Sequence, residues 1–458
     1  MNFYFDAAKT LDRLDAKEGS IKGIIATLPE KTRKRTSALV IETLKYKSVL
    51  TDIIQRSELL KREKKIRSTN LALILVHDLL LAGGIQAGDG PIKQAILRHK
   101  TRLNAELTRL KIKQNARSTA DLAQQADARA SQIPRYVRVN TKFWKAEEAI
   151  KYFTDKGFSI GNPLQSSTQF NKDEHIPDLL RFAPQTSFQD EPAYTSGKII
   201  LQDKASCFPA YVLRPPVHDK SIVIDATAAP GNKTSHLSAL MKGKGKLYAF
   251  ERDRKRFGTL KMMLSKAACA NVEPINADFL TTDPADPKYE PVTHILLDPS
   301  CSGSGIVNRL DHLLSAENDS EDDSQERLNK LATFQLKMIK HAMRFANAQR
   351  IVYSTCSIHA IENERVVSSA LASDEAISAG FILAPRDEVL PAWHRRGYPE
   401  EMQIGDAASV VRCLPGEDAT NGFFVSCFIR KSKDGKRKAQ HQNTMSRKKR
   451  KSVVEELS

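Results

Sequence analysis

The sequence predicts an α/β protein whose C-terminal half is a mainly parallel sheet with helices on both faces. Three observations carry this expectation. Short β-branched or apolar runs, each ending in turn residues, recur at 222–224, 247–250, 295–297 and 351–353. Stretches of helical character lie between or beside them, including 233–240, 254–267 and 326–345. Such alternation is the pattern of parallel strands joined through crossover helices. The unusual small, acidic and sulfur-bearing residues then cluster just after strands, where ligands of such sheets bind.

Taken in order, residues 1–130 read as a helical domain. From Pro91, apolar residues recur at Ile92, Ile96, Leu103, Leu107 and Leu110, a helical spacing with one gap at Lys100. Gly90 and Pro91 mark its start, proline suiting the first turn. The other face carries Lys93, Arg98, Arg102, Arg109 and Lys113. That face suits either an RNA backbone or plain solvation, and for any single residue solvation is the simpler reading. Similar helices are expected at 37–63 and 70–82, and the Ala-, Gln- and Asp-rich stretch 118–131 reads as a link. Residues 131–215 form a small α+β domain, with alternation at Tyr136-Val137-Arg138-Val139-Asn140, a helix over 144–153 and a strand over 179–182. The sheet domain spans 216–432. Within it the acidic, apolar-poor segment 315–325 reads as a mobile insertion. A basic tail, 433–458, holds Lys436-Arg437-Lys438 and Arg447-Lys448-Lys449-Arg450-Lys451. It suits a nuclear or nucleolar address or a nonspecific RNA-binding arm.

Composition narrows the partners. The 458 residues hold 71 Lys and Arg against 54 Asp and Glu, a net charge of +17. That field draws polyanions, either nucleic acid or an acidic membrane surface. None of the six cysteines forms a CxxC pair or a Cys/His ligand spacing, so no metal site is expected. The first residues lack a basic-then-apolar signal peptide. The strongest apolar run, 71–81, is short and contains His77 and Asp78, which makes it a buried helix rather than a membrane span. A soluble intracellular protein with reduced thiols is the expectation.

The chemistry-bearing residues follow the strands. After the first comes Asp225-Ala226-Thr227-Ala228-Ala229-Pro230-Gly231-Asn232-Lys233-Thr234, a strand, small residues, glycine, then a helix. A ligand can approach such a backbone and meet the amides of the helix start. The run is neither GxGxxG nor GxxxxGKT, so alone it indicates a nucleotide-type site or a structural turn. Glu251 ends the second strand, where an acid can accept both ribose hydroxyls. Asp278 follows the third and is placed for an adenine amino group. Singly, either acid suits a plain surface; together with the glycine loop they suit an adenosine-containing cofactor. The fourth strand runs into Asp298-Pro299-Ser300-Cys301-Ser302-Gly303-Ser304-Gly305, and the fifth into Tyr353-Ser354-Thr355-Cys356-Ser357. A lone cysteine is usually an inert hydrophobe. Two on one rim, each among Ser, Thr and Gly, read as reactive thiols.

Read together, these segments resemble the Sun/Fmu family of RNA cytosine-5 methyltransferases. The matches are Leu201-Gln202-Asp203-Lys204-Ala205-Ser206, the Ala228–Thr234 loop, Glu251 with Arg256, Asp298 through Gly305, Tyr353 through Ser357, Glu362-Asn363-Glu364 and Gly422-Phe423-Phe424. They span about Val137 to Lys431. The resemblance implies a Rossmann-like class I methyltransferase domain and S-adenosylmethionine as cofactor. It implies a cofactor site lined by Thr227, Ala228, Ala229, Pro230, Gly231, Asn232, Lys233, Glu251, Arg256, Asp278 and Asp298. By the same resemblance Cys356 is the nucleophile, Cys301 helps release the product, and Lys233 lies near the reacting base.

Two thiols suit that reaction. Carbon 5 of cytosine is a poor nucleophile, and thiolate addition to carbon 6 makes it enamine-like and able to take a methyl group. Asp298 is placed to stabilise charge near N3, and loss of the carbon 5 proton then expels the enzyme thiol. Two departures from the family pattern stand out: Thr227 where many members have Cys, and Ser300 where most have a second Pro. Ser300, Asn232 and the helices around Arg98-His99-Lys100 resemble the eukaryotic branch that modifies large-subunit rRNA. The expected substrate is therefore rRNA, the expected location nuclear and nucleolar, and the expected state a monomer. The alternatives are a tRNA methyltransferase, a ribosome-assembly factor with vestigial chemistry, and a DNA methyltransferase, which would need Cys301 as the attacking thiol.

Overall fold

The computed structural model describes residues 1–124, 127–307, 313–314 and 321–431. The 433–458 tail and residues 315–320 of the acidic segment lie outside the described residues. The chain divides into two compact units, Met1–Ala128 with Asn308–Ser320, and Arg129–Val307 with Glu321–Ser458.

The first unit is helical: α1 (Asn2–Asp15), α2 (Ile21–Ile25), α3 (Glu30–Lys45), α4 (Lys47–Arg56), α5 (Leu59–Arg62), α6 (Thr69–Leu81), α7 (Pro91–Leu97) and α8 (Lys100–Lys113). Helix α6 is central because it is apolar all round, with every residue from Leu71 to Val76 buried. Its start is capped by Ser68, whose hydroxyl accepts from the Leu71 amide at 3.1 Å. Asp78, buried at its other end, accepts from the Tyr4 hydroxyl at 2.7 Å. Leu313 and Leu314, from far along the chain, join this core, although the sequence reading gave them to the C-terminal domain. The helix expected from Pro91 breaks at Arg98-His99. There Glu63 binds Arg98 Nη2 at 2.8 Å and His99 Nε2 at 3.1 Å. The basic face is largely matched within the unit: Lys93 lies 3.1 Å from Asp89, Arg102 3.8 Å from Glu58 and Arg109 2.7 Å from Glu106. These pairings favour the solvated-face reading.

The second unit begins with a small sheet built from β1 (Arg135–Val139), α9 (Ala146–Asp155), β2 (Ser159–Ile160), β3 (Gln169–Lys172), β4 (Leu179–Phe182), α10 (Pro192–Thr195) and β5 (Ile199–Leu201). Its strand order is β2-β3-β4-β1-β5. Phe153, Phe170, Phe182 and Phe188 form its buried centre.

The large sheet follows. Its elements are α11 (Lys204–Leu213), β6 (Ile222–Asp225), α12 (Asn232–Leu240), β7 (Lys246–Phe250), α13 (Arg254–Lys266), β8 (Val272–Ile275), β9 (His294–Leu297), α14 (Glu321–Met343), β10 (Arg350–Thr355), α15 (Glu364–Leu371), α16 (Asp374–Ala379), β11 (Phe381–Leu383), β12 (Val411–Cys413) and β13 (Phe423–Arg430). The order is β11-β13-β10-β9-β6-β7-β8, with β12 paired to β13. Neighbours from β8 to β10 are parallel, and β13 is antiparallel to both β10 and β11. The expected mainly parallel sheet is present, and β6, between β7 and β9, marks its topological switch point. One correction concerns 321–325, expected to belong to a mobile insertion. These residues form the start of α14, and acidic residues are favoured at a helix start by its dipole.

Candidate active site

Strand β6 ends at buried Asp225, and the chain turns through 226–231 into α12. The Asp225 carboxylate accepts from the Thr234 hydroxyl at 2.8 Å and the Thr227 amide at 3.3 Å. Burial nevertheless pushes its carboxyl up to about 6. The Ala228 amide donates to the Phe250 carbonyl at 2.8 Å and the Ala226 amide to the Leu296 carbonyl at 3.0 Å. The loop is thus tied to the strands on both sides of the switch point. Gly231 has φ +117°, and a Cβ there would lie 3.2 Å from Met263 Cβ and 3.3 Å from Leu260 Cδ1. Backbone conformation and the approach of α13 both call for glycine. No side chain caps α12, which leaves its first-turn amides to meet acceptors of a ligand.

Two carboxylates lie further along the same rim. Glu251 is buried just past β7, with Oε1 accepting from the Asp253 amide at 2.8 Å and Oε2 3.5 Å from Arg256 Nη1. Arg256 Nη2 also donates to the Ala229 carbonyl at 2.7 Å, so Arg256 braces the glycine loop against Glu251. Asp278, past β8, accepts from the Leu280 amide at 2.9 Å, and its other oxygen lies 3.6 Å from Arg252. Small residues at a helix start, one acid after β7 and another after β8 make a donor and acceptor set that fits an adenosine.

Above β9 and β10 the remaining expected residues meet. Asp298 Oδ2 accepts from Lys233 Nζ at 2.7 Å, Oδ1 accepts from the Ser354 hydroxyl at 2.7 Å, and its amide donates to Thr227 Oγ1 at 2.9 Å. Burial pulls the Lys233 ammonium down, but the Asp298 carboxylate more than offsets this and holds it above the usual range. Cys301 Sγ and Cys356 Sγ lie 3.1 Å apart and are not joined in a disulfide. Both are half-buried, whereas Cys207, Cys269, Cys413 and Cys427 are buried. The hydrogen bond with Cys356, joined by burial, pushes the Cys301 thiol well above the usual thiol range.

The scaffold around the thiols was largely missed by sequence reasoning. Glu362 is fully buried and accepts from the Ser302 amide at 2.9 Å, the Ser302 hydroxyl at 2.6 Å and Gln335 Nε2 at 3.0 Å. It thereby fixes the loop that carries Cys301. Asn363 does the same beside Cys356, accepting from the Thr355 hydroxyl at 2.6 Å and donating to the Ser357 carbonyl at 3.0 Å. Glu364 forms a buried bidentate pair with Arg412, both bonds 2.6 Å, and Arg412 Nη1 donates to the Ile358 carbonyl at 2.9 Å. The Glu362-Asn363-Glu364 triplet was visible in sequence as a pattern without a role. Gln335 and Arg412 carried no signal, being single polar residues in an ordinary helix and a three-residue strand. Between the two thiol loops, the Gly305 amide donates to the Cys356 carbonyl at 2.9 Å.

The small sheet reaches the back of the cofactor loop. Arg138 in β1 is buried and donates to Gln202 Oε1 at 2.7 Å, Ser235 Oγ at 2.8 Å and the Asn232 carbonyl at 3.2 Å. Among the described residues no group of His, Cys, Asp and Glu could hold a metal ion. No helix there is long and apolar enough to cross a membrane.

Comparison with known proteins matches the three domains of this architecture in turn. Residues 34–123 match the family described as NOL1/NOP2/Sun domain family member 5, N-terminal domain, and 133–202 match its ferredoxin-like domain. Residues 210–429 match the 16S rRNA methyltransferase RsmB/F family. The 25S rRNA (cytosine-C(5))-methyltransferase rcm1 of Schizosaccharomyces pombe is 45% identical over 93% of this chain and 91% of its own. The 28S rRNA (cytosine-C(5))-methyltransferase of Mus musculus is 42% identical over 94% and 91%. A methyltransferase homologue from Pyrococcus horikoshii, 22% identical, superposes with a TM-score of 0.52 over 82% of this chain and 99% of its own, a likeness of fold.

Proposed function

Since the chain belongs to the NOL1/NOP2/Sun family of RNA cytosine-C5 methyltransferases, we propose that it methylates carbon 5 of a cytosine in large-subunit rRNA. The single observation that carries the mechanism is the pair of thiols 3.1 Å apart, beside Asp298 and Lys233. The cofactor is S-adenosylmethionine; residues 227–233, Glu251 and Asp278, with Arg256 as brace, would hold it, and it would supply an electrophilic methyl group for carbon 5. Cys356, on the residue after β10, adds to carbon 6 of a flipped-out cytosine. Asp298, already fixed by Lys233 and Ser354, faces the base and stabilises charge near N3. Cys301 assists departure of the enzyme sulfur once carbon 5 loses its proton. The small sheet grips the RNA by shape and backbone. The enzyme acts as a monomer in the nucleus and nucleolus, the 433–458 tail serving as its address.

Bisulfite sequencing of total RNA tests this reading in cells holding the wild type, Cys356→Ala, or no protein. One large-subunit rRNA cytosine should lose protection in both altered strains. Loss in a tRNA instead overturns the rRNA assignment, and protection that survives Cys356→Ala overturns the nucleophile. In vitro, Cys301→Ala should accumulate a covalent RNA adduct that Cys356→Ala cannot form. Replacing Lys448 and Arg450 should displace the protein from the nucleolus without slowing turnover on short RNA; slowed turnover makes the tail an RNA arm instead.

A further inference from the structure

We propose that Cys301 and Cys356 form a reversible oxidation site, closing to a disulfide that switches the enzyme off. The sulfurs are 3.1 Å apart and not joined in a disulfide. A disulfide needs a separation of about 2.05 Å, so closure requires a movement of about 1 Å. The local framework aims the sulfurs at each other. Glu362 fixes the Ser302 amide beside Cys301 at 2.9 Å, and the Gly305 amide fixes the Cys356 carbonyl at 2.9 Å.

Selectivity also follows from the structure. Cys207 and Cys427 are buried and their thiols pushed up to about 12, and burial drives Cys413 well above the usual range and raises Cys269. Access governs thiol oxidation along with thiolate character, and among the six cysteines access favours the half-buried pair. The cofactor loop, 226–233, contains no cysteine and is untouched by the reaction.

The oxidant is hydrogen peroxide or another two-electron peroxide. One thiolate attacks a peroxide oxygen, the O–O bond breaks, and a sulfenic acid and hydroxide result. The second thiolate attacks the sulfenic sulfur and expels its hydroxyl as hydroxide. Two thiols lose two electrons and two protons, and the peroxide becomes two waters. A dithiol reductant reverses the bond by exchange. With both sulfurs tied together no thiolate is left to add to a base, a consequence that rests on the function proposed above; the bond itself does not.

The test titrates reduced full-length protein with hydrogen peroxide, alkylates the remaining thiols and maps the cysteine peptides by mass spectrometry. The expected product is one Cys301–Cys356 disulfide per chain, with the other four cysteines still alkylatable after unfolding. Cofactor affinity should change less than twofold, and dithiothreitol should remove the bond. In Cys301→Ser, Cys356 should advance to a sulfinic acid that dithiothreitol does not reverse. Wild-type protein giving a Cys356 sulfinic acid with Cys301 still a thiol overturns the proposal, as does a disulfide to any other cysteine. Because the bond is read by mass, this outcome is separate from whether rRNA proves to be the substrate.

Discussion

Glu364→Gln removes one member of the buried pair behind the nucleophile. Arg412 and Glu364 are both fully buried and joined by two 2.6 Å bonds, so the substitution leaves a guanidinium without its counter-charge. Breaking such a pair costs about 3–5 kcal/mol. With a urea dependence of about 3 kcal/mol per molar for a large domain, the unfolding midpoint falls by about 1–1.7 M. The structure supplies its own reporter. Trp393 is buried and donates from Nε1 to the Arg412 carbonyl at 2.8 Å, and Trp144→Phe leaves it as the one indole of the chain. Its fluorescence in urea follows the region directly. The double variant Glu364→Gln/Arg412→Met, which removes both charges, should recover more than half of the lost midpoint, since what costs most is the unpaired ion. Arg412 also holds the Ile358 carbonyl, two residues beyond Cys356, so kcat should fall further than KM rises. A midpoint shift below about 0.3 M, less than about 1 kcal/mol at that dependence, would refute the reasoning, as would a double variant no better than the single one.

Two further outcomes follow from positions nearby. Gly305→Ala places a Cβ 2.2 Å from the Gly422 carbonyl oxygen and 2.6 Å from its carbon, backbone that no rotamer change can clear. Because the Gly305 amide holds the Cys356 carbonyl, single-turnover kcat should fall about 100-fold for a displacement of about 1 Å, with cofactor affinity unchanged; an unaltered rate would exclude this role. Asp225, raised from 3.8 to about 6 by burial, favours the folded state fully below its unfolded value and loses that contribution as pH rises through about 6. Two units correspond to about 3 kcal/mol, so wild type should lose about that much stability relative to Asp225→Asn between pH 4 and 7, read from urea curves at stepped pH.

How much was legible in the sequence depended on the length of the signal. The strands β6, β7, β9 and β10 and helices α12 and α13 announced themselves because burial on both faces demands continuous apolar runs and crossovers demand helices. Strands β2 and β5 have two and three residues, too few for a period to show. The break at Arg98-His99 was hidden because its cause, Glu63, lies 35 residues away. At the site, the position of each thiol could be read, since strand ends are local features. Their 3.1 Å approach could not, because it depends on the strand order of the sheet and on Glu362, Gln335 and Gly305 arriving from separate elements. Arg256 was expected to line the cofactor site, and its bond to the Ala229 carbonyl shows a brace that no spacing encodes.

In sequence the two cysteines look interchangeable, each among small polar residues past a strand, yet the structure makes them unequal. Cys356 is the residue immediately after β10, between Thr355 and Ser357, which are both buried and both bonded to Asn363. Cys301 stands four residues past β9, in a loop that turns at Gly303 with φ +73° and hangs from Glu362. One sulfur is mounted rigidly on the sheet and the other is suspended over it. The suspended thiol is pushed well above the usual thiol range, and at 3.1 Å it is within reach to donate its hydrogen to the other sulfur. In the proposed mechanism Cys301 therefore serves the departing Cys356 sulfur as a hydrogen-bond donor, and the base that takes the carbon 5 proton is a different group. Serine can make that donation and alanine cannot. Cys301→Ser should release its covalent RNA adduct at least 10-fold faster than Cys301→Ala, the ratio expected for a hydrogen bond to a charged acceptor of about 1.5 kcal/mol. Denaturing gels of the two variants over time measure it. If serine traps the adduct as fully as alanine does, donation is not the role, and Cys301 must act after ionisation, as the base itself.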